Sequence, residues 1–204
     1  MLSIALTGNI AAGKSTVVEL FRRWGATIID ADQLVREAQQ PGTETMNAII
    51  RRFGNTVLYP DGTLNRPVLR EMVMADTLAL ADLNAIVHPA VWRGRERMMA
   101  QARERGDRIV ISDIPLLFES ADPDQFDAVI LVDAPESTRR SRLETTRRMT
   151  TEAATHALAA QQASEPKRRR SDYVIDNDGT LEELEQQARI IWDALVQRAK
   201  GRGL

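Results

Sequence analysis

Residues Gly8-Asn9-Ile10-Ala11-Ala12-Gly13-Lys14-Ser15 spell the pattern G-x-x-x-x-G-K-[ST], set between the apolar run 2–7 and a helical pattern. Its chemistry is carried by backbone, which is why it constrains the chain so strongly. Such a loop turns successive N–H groups toward phosphate oxygens, and the helix that follows aims the positive end of its dipole at them. The residues from Gly8 to Gly13 are therefore expected to cradle a nucleoside triphosphate. Lys14 would follow the β- and γ-phosphates, Ser15 would ligate a bridging magnesium ion, and Thr16 would bond another phosphate oxygen. Val17, Leu20, Phe21 and Trp24 fall at i, i+3, i+4 and i+7, so the required helix follows directly.

Four more β-branched runs recur along the chain: 27–29, 108–111, 128–132 and 173–175. Each is followed by a helical stretch. Continuous rather than alternating apolar runs are what strands buried on both faces require, so the expectation is an α/β fold with a five-stranded parallel sheet flanked by helices. Two stretches break the alternation. Residues 38–105 are too long for a simple crossover and read as a helical insertion, with a turn at Tyr59-Pro60-Asp61-Gly62, placed to receive an acceptor substrate. Residues 135–170 read as a helical, arginine-rich lid, with Arg139, Arg140, Arg142, Arg147 and Arg148 in its first helix. The remaining segments, 1–37, 106–134 and 171–204, make the nucleotide-binding core. Its last helix opens on a Thr180/Glu183 capping box and carries a stripe of Leu181, Leu184, Ala188, Ile191 and Leu195.

Ligands of such sheets sit at the carboxyl ends of the strands, and here those ends are acidic: Asp30-Ala31-Asp32, Asp113, Asp133 and Asp176-Asn177-Asp178-Gly179. Asp32 is the candidate base for phosphoryl transfer to a hydroxyl, with a cap or an i,i+4 pair with Arg36 as its structural alternative. Asp113 is placed to hold magnesium through water. Asp133 reads as the cap of the next helix. Guanidinium groups closing over a transferred phosphoryl stabilise its spreading charge, although most arginines on such a helix are solvated bystanders. The run Lys167-Arg168-Arg169-Arg170 reads as a solvated face, and a net charge of −2 argues against a nucleic-acid partner. The chain has no cysteine and no long apolar run, so disulfides, thiolate chemistry and a membrane span are not expected and a cytoplasmic setting is. No obligatory protein partner is indicated.

The residues so far describe a magnesium-dependent kinase with an unnamed acceptor. The chain resembles the dephospho-coenzyme A kinase family over nearly its whole length. The resemblance is carried by Leu6-Thr7-Gly8, Asp30-Ala31-Asp32 with Arg36, Asp61-Gly62-Thr63-Leu64-Asn65-Arg66 and His88-Pro89. It continues in Pro115-Leu116-Leu117-Phe118-Glu119, Gln161, and Asp172-Tyr173-Val174-Ile175 with Asn177 and Gly179. It implies ATP as donor and the ribose 3′-hydroxyl of dephospho-coenzyme A as acceptor, with Asp32 as base and Arg142 on the transferred phosphate. It also implies Asn177 near the adenine, and Arg36, His88, Leu117 and Phe118 lining the acceptor site. His156 has no matching role and is expected at the surface.

Some positions depart from the family pattern. Asn9, Ala11 and Ala12 stand where glycines and serine are common, and any of them needing positive φ would be strained. In the lid, an arginine commonly falls four residues after the one matched by Arg142, where this chain has Thr146, with Arg147 one place beyond. Alternatives are a kinase for another nucleoside or nucleotide, a nucleotide binder without turnover, and a GTP switch. The last has only a formal D-x-x-G match at Asp176–Gly179 and no N-K-x-D motif.

Overall fold

The five apolar runs form the strands β1 (Leu2–Gly8), β2 (Thr27–Asp30), β3 (Ile109–Asp113), β4 (Ala128–Asp133) and β5 (Tyr173–Asp176) in a computed structural model that describes residues 1–201. Their order in the sheet is β2-β3-β1-β4-β5. β1 runs parallel to both its neighbours, with Ile4 opposite Ile111 on one side and Ala128 on the other, and β5 runs parallel to β4. All six residues of β4 are buried, as a strand covered on both faces should be.

Alternation along β1 sorts its side chains between two cores. Leu2, Ile4 and Leu6 face helices α1 (Lys14–Arg23) and α10 (Leu181–Gly201), against Val17, Leu20, Phe21, Leu184, Ala188 and Leu195. Phe21, Trp24 and Trp192 pack there in edge-on and tilted arrangements, with ring centroids 5.9 to 6.3 Å apart. Ala5 faces the other way, with Val129, toward Leu117 of α6 (Leu117–Ser120) and Phe126. The capping box of α10 forms reciprocally: Thr180 N–H donates to Glu183 Oε2 at 2.7 Å, and Glu183 N–H donates to Thr180 Oγ1 at 3.2 Å. The apolar stripe of α10 begins at Leu184 and gains Trp192 and Ala199; Leu181, expected in it, is 63% exposed because it precedes the first turn that meets the sheet.

The chain divides into two compact units, one made of Met1–Ile29 with the chain from Ala102 onward, the other of Asp30–Gln101. The second is helical: α2 (Ala31–Ala38), α3 (Glu44–Phe53), α4 (Arg66–Ala75) and most of α5 (Thr77–Arg105). It has its own core of Met46, Ile49, Phe53, Val57, Leu64, Leu69, Val73 and Val87. Leu58 and Leu64 bridge across the Tyr59–Gly62 turn, where Asp61 accepts from the amide and hydroxyl of Thr63, which hold its carboxyl below the usual range. His88-Pro89 lies inside α5. Ala85 and Pro89 are both on the exposed side, so the carbonyl that loses its N–H partner to proline is open to water.

In the first unit, residues 135–170 form α7 (Glu136–Thr145), α8 (Thr151–Ala159) and α9 (Ser164–Arg169). α7 is shorter than expected: Arg147 and Arg148 lie beyond it, and Arg148 takes φ 53°, a left-handed conformation that ends the helix. Leu143, Ala154 and Leu158 pack with Met149 and with Ile10 and Ala11. His156 is exposed. Among the described residues no helix is long and apolar enough to cross a membrane.

Asp107 ties the start of β2 to the turn before β3, accepting from Thr27 Oγ1 and Arg105 Nη2, each at 2.6 Å. The Thr27 hydroxyl first, then Arg105, holds its carboxyl below the usual carboxylate range. A lowered folded-state pKa stabilises the fold above the unfolded-state value and loses that contribution as pH falls through the folded one. Asp107→Asn is therefore expected to cost about 1 kcal/mol in urea melts at neutral pH, with the gap from wild type closing in acid.

Candidate functional site

The sheet order reverses at β1, so the carboxyl ends of β1, β3 and β4 surround a crevice of the kind ligands occupy in open α/β sheets. The glycine-rich loop leaves β1 at that point. A Cβ on Gly8 would fall 2.7 Å from the carbonyl of Val132, so only glycine lets the strand end so close to β4. Gly13 takes φ 94°, and a Cβ there would collide with Asn177 Nδ2. Of the three departures in the loop, Ala11 is the one with positive φ, at 60°. The strain expected at such a position is real and confined to one residue.

The loop is held mostly by side chains acting on its carbonyls. Asn177 Nδ2 donates to the carbonyl of Ala12 at 2.7 Å. Arg142 donates through Nη1 to the carbonyl of Ala11 at 3.3 Å and through Nη2 to that of Asn177 at 3.0 Å. On the other side, Gln161 Oε1 accepts from Ile10 N–H at 2.6 Å. Lys14 pairs with Asp113 at the end of β3, and both are largely screened from solvent. Ser15, in the first turn of α1, is exposed, and Thr16 N–H donates to the carbonyl of Gly13.

Asp133 corrects a sequence expectation. It does not cap α7, whose N-cap is Pro135 and has no side-chain cap hydrogen bond. The Asp133 carboxylate is 4% exposed and takes three donors, Asn9 Nδ2 at 3.1 Å, Ser164 Oγ at 3.0 Å and Arg168 Nη1 at 3.2 Å. Arg168 also makes a fork to Asp176 at 2.6 and 3.2 Å, which with Asp133 raises its pKa and keeps the guanidinium charged. Nor is the run 167–170 a solvated face throughout. Lys167 is 1% exposed, Arg168 is paired, and Arg170 lies 4.9 Å over the ring of Phe118.

Thus the loop, Lys14, Asp113, Arg142 and Asn177 form one connected set within the first unit, to which Leu117 (buried) and Phe118 (half-buried) also belong. Asp32, Arg36 and His88 belong to the second unit. There Asp30 is the helix cap, accepting from Gln33 N–H at 3.0 Å, while Asp32 and Arg36 are exposed and, among the described residues, form no ion pair with each other. His88 is half-buried within α5. Sequence reasoning quoted Gln161 without giving it a role, and it missed Lys167 and the part played by Asp133.

Gly13→Ala should lower both the melting temperature and nucleotide affinity sharply, since it adds a clash to a left-handed backbone. Ala11→Gly should raise stability by up to about 1 kcal/mol by removing the steric penalty at φ 60°. Thermal melts with and without ATP measure both.

Comparison with known proteins gives a consistent result. The family model described as dephospho-CoA kinase matches residues 2–183. A dephospho-CoA kinase of Thermobifida fusca is 43% identical over 202 residues, covering 99% of this chain and all of that one. A crystal structure of the protein TT1252 from Thermus thermophilus is 32% identical, with a TM-score of 0.81, 95% of this chain and 97% of that one being covered. The dephospho-CoA kinase from Campylobacter jejuni shares the fold with a TM-score of 0.70 at 24% identity, covering 98% of each chain.

Proposed function

The chain belongs to the dephospho-CoA kinase family, and from that premise we propose which of its residues carry the reaction. The activity is ATP-dependent phosphorylation of the ribose 3′-hydroxyl of dephospho-coenzyme A, giving coenzyme A and ADP in coenzyme A biosynthesis. The observation that supports the assignment of residues is the convergence of the loop, Lys14, Arg142 and Asn177 at the carboxyl end of β1.

In the proposed mechanism the N–H groups of the loop and the N-terminus of α1 bind the β- and γ-phosphates. Lys14 exchanges Asp113 for phosphate when ATP binds, so the ion pair holds the ammonium near its working place beforehand. Asp32, exposed in the first turn of α2 and free of the capping task that Asp30 performs, takes the proton of the 3′-hydroxyl. As the 3′-oxygen forms its bond to the γ-phosphorus, the bond to the β,γ-bridging oxygen breaks and ADP leaves. Arg142, already held against the loop by two carbonyls, places a guanidinium where charge spreads over the transferred oxygens.

Asn177 serves the adenine end of ATP while bracing Ala12. Arg36, His88 and the Leu117-Phe118 segment receive the acceptor. The Ser15 hydroxyl and Asp113 carboxylate are hard oxygen donors that suit magnesium, Ser15 directly and Asp113 through water. Bound there, magnesium would neutralise charge on the β- and γ-phosphate oxygens.

Asp32→Asn is expected to keep ATP affinity within about twofold and to lower kcat by about a hundredfold or more. Near-normal turnover would assign the base elsewhere. Lys14→Ala should damage both affinity and rate. ADP release, measured with dephospho-coenzyme A, AMP, adenosine and no acceptor in parallel, is expected only with dephospho-coenzyme A, and the product is checked by mass.

A further inference from the structure

Lys167, on α9, is almost fully buried, with 1% of its surface exposed, and the transfer chemistry does not use it. A cation withdrawn from water needs partners, and it has two from distant parts of the chain. Its Nζ donates to Asn9 Oδ1 at 3.0 Å and pairs with Glu119 Oε1 at 2.8 Å. The Asn9 amide is wholly committed: beyond accepting from Lys167, its Nδ2 donates to Ser164 Oγ at 2.7 Å and to Asp133 Oδ1 at 3.1 Å. Asn9 directly follows Gly8, so its side chain fixes the backbone at the point where the phosphate-binding loop begins.

We propose that Lys167 is a positioning residue for the nucleotide: by holding Asn9 Oδ1 it sets the course of the loop, and by pairing with Glu119 it locks α9 to α6. The inference rests on the nucleotide site described above. A glycine at position 9 offers no such acceptor, so Asn9 is a handle by which α9 grips the loop.

The test is ATP affinity by calorimetry in the presence of magnesium, with the melting temperature, on the full chain and four variants. Lys167→Met should weaken ATP binding about tenfold, the size expected for one hydrogen bond to a charged group, and lower the melting temperature. Lys167→Met with Glu119→Gln removes the stranded carboxylate as well, so the melting temperature should recover while affinity stays weak. Asn9→Gly should weaken binding by a similar factor, and adding Lys167→Met to it should cost less than about twofold more, because both remove one linkage. Affinity that returns together with the melting temperature, or an Asn9→Gly variant that binds ATP as well as wild type, overturns the proposal. Turnover of wild type on dephospho-coenzyme A is read separately; its failure would strike the substrate assignment, while the ATP affinities would still decide the role of Lys167.

Discussion

A loop that offers N–H groups to a ligand has few left with which to hold itself in shape. It must be held from outside, through its carbonyls and side chains, and much of the surrounding structure answers that requirement. Asn177 takes the carbonyl of Ala12, Arg142 that of Ala11, and Asn9 reaches outward with its whole amide. Ile10 gives up its N–H to Gln161, and Ala12 gives its own to the carbonyl of Asn9. Such external bracing is what makes electrostatic stabilisation effective, since donors already fixed in place need no reorganisation as charge develops.

The bracing groups are polar amides and a guanidinium, tied to charged side chains that are partly or wholly buried, so they are stable only as a closed network. Asp133 has three donors, and Arg168 divides its guanidinium between Asp133 and Asp176. Among the described residues, no buried side-chain nitrogen or oxygen is left without a partner. Networks of this kind contribute less to net stability than apolar packing of the same volume, but losing one member strands the others. The stability of this unit comes instead from the apolar layers on the two faces of β1, with Phe21 and Leu117 wholly buried on opposite sides.

Local patterns made much of this legible. The loop motif, the helix after it, the strands and the capping box of α10 each depend on residues within a few positions of one another, and all form as read. The misreadings share a cause. Lys167 looks solvated in a run of cations, because its partners Asn9 and Glu119 lie far away in sequence, and only the inward face of a six-residue helix brings them together. Asp133 looks like a cap because it stands just before a helix, but its donors come from the β1 loop and α9. Arg147 reads as a continuation of α7, where local propensity permits helix; packing of Met149 with Leu143 and the left-handed Arg148 end it instead.

The segment Asp30–Gln101 leaves the sheet at the end of β2 and rejoins it ahead of β3, the strand next to β2. Two parallel neighbours need some crossover in any case, and here the crossover has grown into a body with an apolar core of its own. The registers of β1, β3 and β4 are set by pairings between strands that lie outside this segment. Drift, insertion or recombination inside this segment meets selection chiefly through its own packing and whatever it binds. Exchange of this one contiguous stretch of gene would carry away the proposed base Asp32 together with Arg36 and His88, while Leu117 and Phe118 stayed behind.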